Sequence, residues 1–315
     1  MYSCASLGLR LGTTHTRTAT KQLRPPNKMK QSTLQTLIKD WALWPNLCES
    51  KPQAKHFTPL ANGLTNENWL LQGSQQKYVL RLNANNAHAL HLNRHAEWHI
   101  HNCISEHGLC KAYVFRQKND IYWIRPFMEG DTLKEKIESN SNFLDNDLLE
   151  KIAGKFKFLH SIPTSKSWPE INHQKRINHY WQQIFKASGI SETVHSKLNK
   201  LKESLSSCTT YSNYTPSLCH MDGNTNNWII DKNDIYLIDW EYAALANPLW
   251  DLAEFCLSCS LNKKQTQIFL QNYGIKNLES FEHAKKQMTY LSLLWFTLQK
   301  EISIDSLISK LENLL

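Results

Sequence analysis

Residues 220–239 read HMDGNTNNWIIDKNDIYLID, and the interpretation of the whole chain starts from them. The first eight residues are mostly polar and are poor formers of helix or strand, so they predict a loop that carries Asp222. Two short apolar runs follow, and Lys232-Asn233 between them predicts the two-residue turn of a hairpin. In that register Asn227 pairs with Ile238, the neighbour of Asp239. Asn227 and Asp239 are therefore expected side by side at the open end of the hairpin.

These three polar side chains form a chemically meaningful set. The amide oxygen of Asn227 beside the carboxylate of Asp239 provides the hard oxygen ligands that Mg²⁺ prefers. Asp222, on the loop that enters the same end of the hairpin, can orient a hydroxyl group that attacks a phosphate. The pattern predicts a phosphoryl-transfer centre with Asp222 as the catalytic residue and Asn227 and Asp239 as metal ligands. The alternative is a polar turn that precedes a surface hairpin.

The composition predicts a soluble, folded protein. The chain has 315 residues, of which 41% are hydrophobic, so it can bury one large core or the cores of two lobes. No apolar run approaches the ~20 residues of a membrane span, and the eight cysteines follow no disulfide or zinc spacing. We therefore expect reduced thiols, no membrane partner and a cytoplasmic location.

The net charge of +8 comes mostly from the first 28 residues. This segment has five basic residues and no acidic one, and without it the charge falls to +3. The remainder is an ordinary surface charge, so we predict no nucleic-acid partner. Residues 1–28 lack apolar periodicity and are expected to be a disordered tail, or the product of a mis-assigned start upstream of Met29.

The periodicity of the apolar residues divides the rest of the chain into two lobes. Residues 29–127 predict a leading helix and then three strands, one helix and two strands, a small antiparallel sheet supported by a helix. Residues 128–315 predict mostly helices, with the hairpin as the exception. The expected fold class is α+β. The expected elements of the first lobe are a helix at 34–44, strands at 57–61, 68–72 and 77–82, a helix at 87–107, and strands at 112–117 and 121–127.

The H-x-D-x-x-x-x-N motif from His220 to Asn227, with Asp239 downstream, resembles the catalytic loop and metal-binding aspartate of the aminoglycoside phosphotransferase/choline kinase family. The methionine between His220 and Asp222 fits these small-molecule kinases better than protein kinases, which have arginine there. The resemblance covers about residues 57–300. It implies a protein kinase-like, two-lobed fold, with ATP and Mg²⁺ as cofactors.

The resemblance also implies a nucleotide site in the N-terminal lobe. Arg81 occupies the position of the nucleotide-contacting lysine of kinase strand three, and Glu97 resembles the helix glutamate that pairs with it. Residues 62–66, NGLTN, are similar to the family's nucleotide loop, G-G-L-T-N. The implied nucleotide contacts are Arg81, Glu97, Gly63, Thr65, Asn66 and Met128, and the implied structural supports of the catalytic loop are His220, His160 and Asp251.

Within this family the sequence is most similar to the bacterial thiamine kinases, through LIDWEYA at 237–243 and YWQQ at 180–183. This similarity implies thiamine as the acceptor, a cationic alcohol that favours aromatic contacts and a counter-charge. The candidate acceptor contacts are Trp181, Trp295 and Glu241, with core packing as the alternative for the aromatic side chains. Choline, ethanolamine, another amino alcohol or an aminoglycoside is the alternative acceptor, and a kinase-shaped binding protein without turnover is the alternative class. The oligomeric state is left open.

Overall fold

The computed structural model describes residues 31–60, 66–84, 92–140, 142–186, 189–209, 214–232 and 234–315. The predicted tail, residues 1–28, lies outside these ranges. The described chain forms two compact units, the first ending at Gly130 and the second running from Asp131 to Leu315. No helix of the described ranges combines the length and the hydropathy that a membrane-spanning helix requires.

The first unit is an antiparallel sheet with helices. The strand order is β1-β2-β3-β5-β4, and every neighbouring pair is antiparallel. The elements are α1 (Gln31–Ile38), β1 (Phe57–Pro59), β2 (Glu67–Gln72), β3 (Lys77–Leu82), α2 (Arg94–Glu106), β4 (Phe115–Arg116) and β5 (Tyr122–Pro126), with 3₁₀ turns at Lys39–Leu43 and Ala54–His56.

One face of this sheet packs against the N-terminal segment of the unit. Leu37 and Trp44 join Leu71, Leu80 and Ile124 of the sheet in a single buried cluster. A small sheet needs such an apolar cover to be stable, and the alternating side chains of β2 and β3 provide the matching face. The Trp44 indole also donates a hydrogen bond of 3.0 Å to the Tyr122 hydroxyl, which satisfies the indole N–H inside the cluster.

The second unit is mostly helical. Its helices are α3 (Leu133–Ser139), α4 (Asn146–Ser161), α5 (His173–Lys186), α6 (Glu192–Ser204), α7 (Pro248–Ser258), α8 (Lys263–Tyr273), α9 (Leu278–Leu298) and α10 (Ile304–Glu312). Its strands are β6 (Asp131–Thr132), β7 (Ser217–Cys219), β8 (Trp228–Ile230), β9 (Ile235–Leu237) and β10 (Ala244–Ala246), which form the sheets β6-β8-β9 and β10-β7.

An aromatic cluster fixes the β8–β9 hairpin on the helices of this unit. Phe156 of α4 makes edge contacts with Trp228, Phe255 and Phe269, at centroid distances of 5.1, 6.0 and 6.3 Å. Edge-to-face packing of buried rings is favourable beyond the burial of area alone. Gly223 packs closely against this cluster, because a Cβ atom there would lie 3.0 Å from the Phe156 ring, which would have to shift.

The structure confirms the predicted hairpin register. Trp228 pairs with Leu237, and the Ile238 N–H donates to the Asn227 carbonyl oxygen at 2.9 Å. In the first unit the predicted strands and helix are present, although several are shorter than predicted. The leading helix becomes a 3₁₀ turn after Ile38. Residues 87–91 of the second predicted helix lie outside the described residues, and α2 runs from Arg94, where the Asn93 side chain caps it.

Candidate active site

The Asp222 carboxylate is held by two side-chain amides of its own loop. Asn224 Nδ2 donates to Asp222 Oδ1 and Asn227 Nδ2 donates to Asp222 Oδ2, each at 2.9 Å. Hydrogen bonds to a carboxylate are stronger than those between neutral groups, so the side chain is fixed in one orientation. Asp222 is half-buried and faces a pocket in the second unit. Asn224 was not predicted from the sequence, although an asparagine two residues after an aspartate in a polar loop is a recognisable turn signal.

Two residues of the site have left-handed backbone conformations. Met221 has φ 62° and Asp239 has φ 66°. Non-glycine residues rarely adopt these angles, and such strain persists where the surrounding structure imposes it, often at active sites. The surroundings here are rigid: the Trp240 indole N–H donates to the Leu237 carbonyl at 2.9 Å, and its ring packs on His220 at a centroid distance of 4.4 Å.

Asp251 holds the start of the loop that carries Asp222, from inside the second unit. Its side chain is fully buried, with 0% exposure. Its two oxygens accept the backbone N–H groups of His220 and Met221, each at 2.7 Å, and His160 Nε2 lies 3.1 Å from Oδ2. The structure thus places His160 and Asp251 where the family resemblance implied loop supports. A carboxylate with three partners stabilises the strained backbone at Met221.

We expect Asp251→Asn to lower the melting temperature markedly. The amide group would bring an N–H donor against one of two buried backbone donors and would remove the charge that His160 faces. Breaking such a buried network costs about 3–5 kcal/mol, which corresponds to roughly 6–20 °C for a unit of this size. Thermal unfolding measures the change, with Asp147→Asn, an exposed position near the start of α4, as the matched control. Equal melting temperatures for the two variants would contradict the role of Asp251.

His220 is a neutral imidazole with a defined tautomer. Its Nδ1 accepts the Asp222 N–H at 3.2 Å, so its Nε2 carries the proton and donates to the Ile238 carbonyl oxygen at 3.0 Å. Burial, which outweighs the nearby carboxylates Asp251 and Asp239, lowers the pKa of His220. The imidazole therefore joins the Asp222 loop to the end of the hairpin without adding a charge.

The hairpin end offers two oxygen ligands that fit a divalent cation. The Asn227 Nδ2 group is engaged with the Asp222 carboxylate and with the Asp222 carbonyl, at 2.9 and 2.8 Å. The Oδ1 atom of Asn227 is the part of the amide that remains for a metal. Asp239 directly follows Ile238, the residue that pairs with Asn227, and its carboxylate is half-buried. This donor set matches the preference of Mg²⁺ for carboxylate and amide oxygens.

The first unit contains an ion-pair network between β3 and α2. Arg81 Nη1 lies 2.6 Å from Glu97 Oε1, and Arg94 Nη1 lies 2.8 Å from Glu97 Oε2. Burial alone would raise the pKa of Glu97. The charges and hydrogen bonds of Arg81 and Arg94 have the larger effect, so the pKa of Glu97 is lowered. Two cations on one carboxylate leave a net positive charge, which suits a phosphate ligand. Arg94 was missed at the sequence level, although its i,i+3 spacing to Glu97 was a usable signal.

The other implied nucleotide contacts lie around the same network or at the end of the unit. The buried Asn66 accepts hydrogen bonds from the Arg94 Nη2 group at 3.1 Å and from the Ala84 N–H at 3.2 Å. Met128 is buried after β5. Gly63 and Thr65 lie outside the described residues.

The pocket next to Asp222 has aromatic, apolar and charged side chains. Trp295 of α9 and Tyr242 line it, and the Trp295 indole N–H donates to the Tyr242 hydroxyl at 3.3 Å. Burial and the nearby Glu241 raise the pKa of Tyr242 far above its usual value, so its hydroxyl stays protonated. The other lining residues are Arg176, Met221, Glu254, Met288, Leu291, Ser292 and Phe296.

The structure does not bring the other two predicted acceptor contacts to this pocket. Trp181 is fully buried in the helical core, where it donates to the Tyr290 hydroxyl at 2.7 Å and stacks on Phe185. Glu241 is buried too and is not a lining residue. Of the three acceptor candidates, only Trp295 lines the pocket that contains Asp222.

Comparisons with known proteins agree with this geometry. Residues 57–311 match the sequence profile of the choline/ethanolamine kinase family. A protein from Mycoplasma capricolum, named a LicA homolog, is 26% identical over 165 residues, which cover 52% of this chain and 66% of that protein, less than two thirds of its length.

Solved structures show the same fold. A choline/ethanolamine kinase family protein from Mesorhizobium loti has a TM-score of 0.66 at 16% identity, with 89% of this chain and 94% of that chain covered. The choline kinase LicA from Streptococcus pneumoniae has a TM-score of 0.65 at 19% identity, with 87% and 94% covered. At these identities the likeness shows the fold alone, and it confirms the predicted protein kinase-like α+β class.

Proposed function

Because the chain belongs to the choline/ethanolamine kinase family, we propose that it transfers the γ-phosphoryl group of ATP to the hydroxyl group of a small amino alcohol. The observation that carries the proposal is the position of Asp222. Its carboxylate, fixed by the side-chain amides of Asn224 and Asn227, faces a pocket with Trp295 and Tyr242 in its lining. An acceptor bound there would present its hydroxyl group to the one carboxylate that the catalytic loop holds in place.

Asp222 orients the acceptor hydroxyl and accepts its proton as the oxygen attacks the γ-phosphorus. The two amide hydrogen bonds keep the carboxylate in place. The strained backbone at Met221, held by Asp251, sets its direction. Asn227 Oδ1 and Asp239 would hold Mg²⁺, which, when bound, neutralises charge on the ATP phosphates. In the first unit the network of Arg81, Glu97 and Arg94 would contact the nucleotide phosphates.

Choline or ethanolamine is the acceptor class that the family and the LicA relatives favour over thiamine. The pocket lining does not separate the two acceptors, since the aromatic side chains of Trp295 and Tyr242 suit a cation in either case.

The acceptor class is tested by an ADP-release assay with the full chain, ATP and Mg²⁺. Choline, ethanolamine, thiamine and kanamycin are compared at equal concentrations. We expect choline or ethanolamine to give the highest kcat/KM. Faster turnover with thiamine or kanamycin would refute the proposed acceptor class, and no turnover with any of the four would refute the amino-alcohol kinase.

We expect Trp295→Leu to raise the KM for the acceptor and to leave the KM for ATP unchanged. The substitution removes one aromatic contact with a cation, which is worth ~0.5–2 kcal/mol, or about a two- to thirtyfold loss of affinity. Trp295→Phe is the matched control, because it keeps an aromatic ring while it removes the hydrogen bond to Tyr242. Equal increases in both Michaelis constants would mean that Trp295 only stabilises the packing of α9.

A further inference from the structure

The pocket next to Asp222 contains a second carboxylate, which the phosphoryl-transfer site does not use. Glu254 lies on α7 one turn after Asp251 and lines the pocket. Asp251 is directed at the backbone of the catalytic loop, whereas Glu254 makes no hydrogen bond or ion pair within the described part of the chain. A partly enclosed carboxylate without a partner is costly, and a positive ligand relieves that cost.

The electrostatics around Glu254 agree with this geometry. Burial, with a contribution from the Asp251 charge, raises the pKa of Glu254 to about 7. Arg176 also lines the pocket, but its positive charge does not lower the pKa of Glu254. The charged or titratable groups around Glu254 are Asp251 on α7, Cys259 directly after α7, Arg176 on α5, Asp222 and Tyr242 in the pocket lining, and His160 and Cys219 beside Asp251. Glu282 and Lys285 of α9 lie beside Cys256 instead.

We infer that Glu254 is the counter-charge that makes this pocket select an acceptor with a positively charged head group. The inference rests on the proposed function and names the residue that sets its specificity. Trp295, Tyr242 and the apolar side chains of α9 complete the lining. A carboxylate together with aromatic side chains attracts a cation both by charge and by cation–π contact. A neutral alcohol of the same shape would fill the pocket without pairing the carboxylate.

Glu254 replaces Glu241 in this role. Glu241 precedes Tyr242 in sequence, but its side chain is buried outside the pocket lining. Glu241 lies in the turn before β10, whereas Glu254 comes from α7, which packs against α9. The pocket lining therefore combines groups from five parts of the second unit: the loop that carries Asp222, the segment with Tyr242, and the helices α5, α7 and α9.

The test compares choline with 3,3-dimethylbutan-1-ol, a neutral alcohol in which carbon replaces the nitrogen. Dissociation constants for both are measured by calorimetry on the full chain and on Glu254→Gln. We expect the wild-type protein to bind choline about ten- to a hundredfold more tightly, because an ion pair accounts for the difference. Glu254→Gln should lose most of this preference and keep its affinity for the neutral alcohol, which also shows that the pocket is intact.

The matched control is Glu282→Gln, which makes the same change of charge at an exposed position of α9. It should keep the full preference for choline. A preference that persists in Glu254→Gln, an equal loss of affinity for both alcohols, or an equal loss of preference in Glu282→Gln would each overturn the inference.

A measurement on the wild-type protein alone provides a second test in case Glu254→Gln does not fold. A bound cation favours the ionised carboxylate, so choline affinity should rise by about tenfold between pH 6 and pH 8, as Glu254 ionises near pH 7. The affinity for 3,3-dimethylbutan-1-ol should stay constant. A choline affinity that does not change over this range would contradict the inference. Selective choline binding without phosphorylation in the presence of ATP and Mg²⁺ would refute the proposed function and leave the role of Glu254 standing.

Discussion

Asp222→Asn is expected to lower kcat by a factor of about 10² to 10⁴, the usual contribution of a catalytic base. The substitution keeps the size of the side chain but removes the charge that takes the proton from the acceptor hydroxyl. The new amide N–H group would also meet Asn224 and Asn227, both of which donate to the present carboxylate. The preferred orientation of the side chain is therefore lost together with its basicity.

Steady-state kinetics with saturating ATP and acceptor measure this effect. The KM for ATP should stay close to that of the wild-type protein, because Asp222 belongs to the acceptor side of the reaction. Asp231→Asn is the matched control: it makes the same chemical change at an exposed position of the same hairpin. If Asp222→Asn kept kcat within tenfold of the wild type, Asp222 would not be the catalytic residue.

Asp239→Asn is expected to abolish the gain in ATP affinity that Mg²⁺ provides. The charged metal ligand is lost, whereas the left-handed backbone at position 239 is kept, because asparagine tolerates φ 66° better than most residues. Mutation of a residue that hydrogen-bonds to a metal ligand typically lowers metal affinity by about 10- to 100-fold. Loss of the metal ligand itself should therefore lower it by at least about 100-fold.

Titration of ATP with and without Mg²⁺ separates this effect from a general loss of binding. The variant should bind metal-free ATP as the wild-type protein does, and Mg²⁺ should add little. Asp231→Asn again serves as the control and should keep the full response to Mg²⁺. A normal response in Asp239→Asn would show that the metal is held elsewhere.

The catalytic hairpin could be predicted because its information is local. The two-residue turn fixes the pairing of the strands, and the pairing places Asn227 next to the residue before Asp239. The first sheet was predictable for the same reason, since alternating apolar residues specify its strands. The strain at Met221 was not predictable, because it depends on Asp251, which lies 30 residues further along the chain.

The acceptor side was less predictable because it depends on how helices pack. Trp181 and Trp295 both lie on helices, and only the packing of the second unit shows that the first is in the core and the second lines the pocket. At the sequence level Glu241 was the candidate counter-charge for a cationic acceptor. Glu254 lies in a largely apolar stretch of α7. The only sequence signal for it is its position one helical turn after Asp251.

The central claim is that this chain phosphorylates a small amino alcohol at the centre formed by Asp222, Asn227 and Asp239. The most direct measurement is ³¹P NMR of the full chain incubated with ATP, Mg²⁺ and choline or ethanolamine. We predict that a new phosphomonoester signal appears at the same rate as ADP in the wild-type reaction and at least about 100-fold more slowly with Asp222→Asn. Conversion of ATP into ADP and inorganic phosphate alone, or no consumption of ATP with either alcohol, would contradict the account.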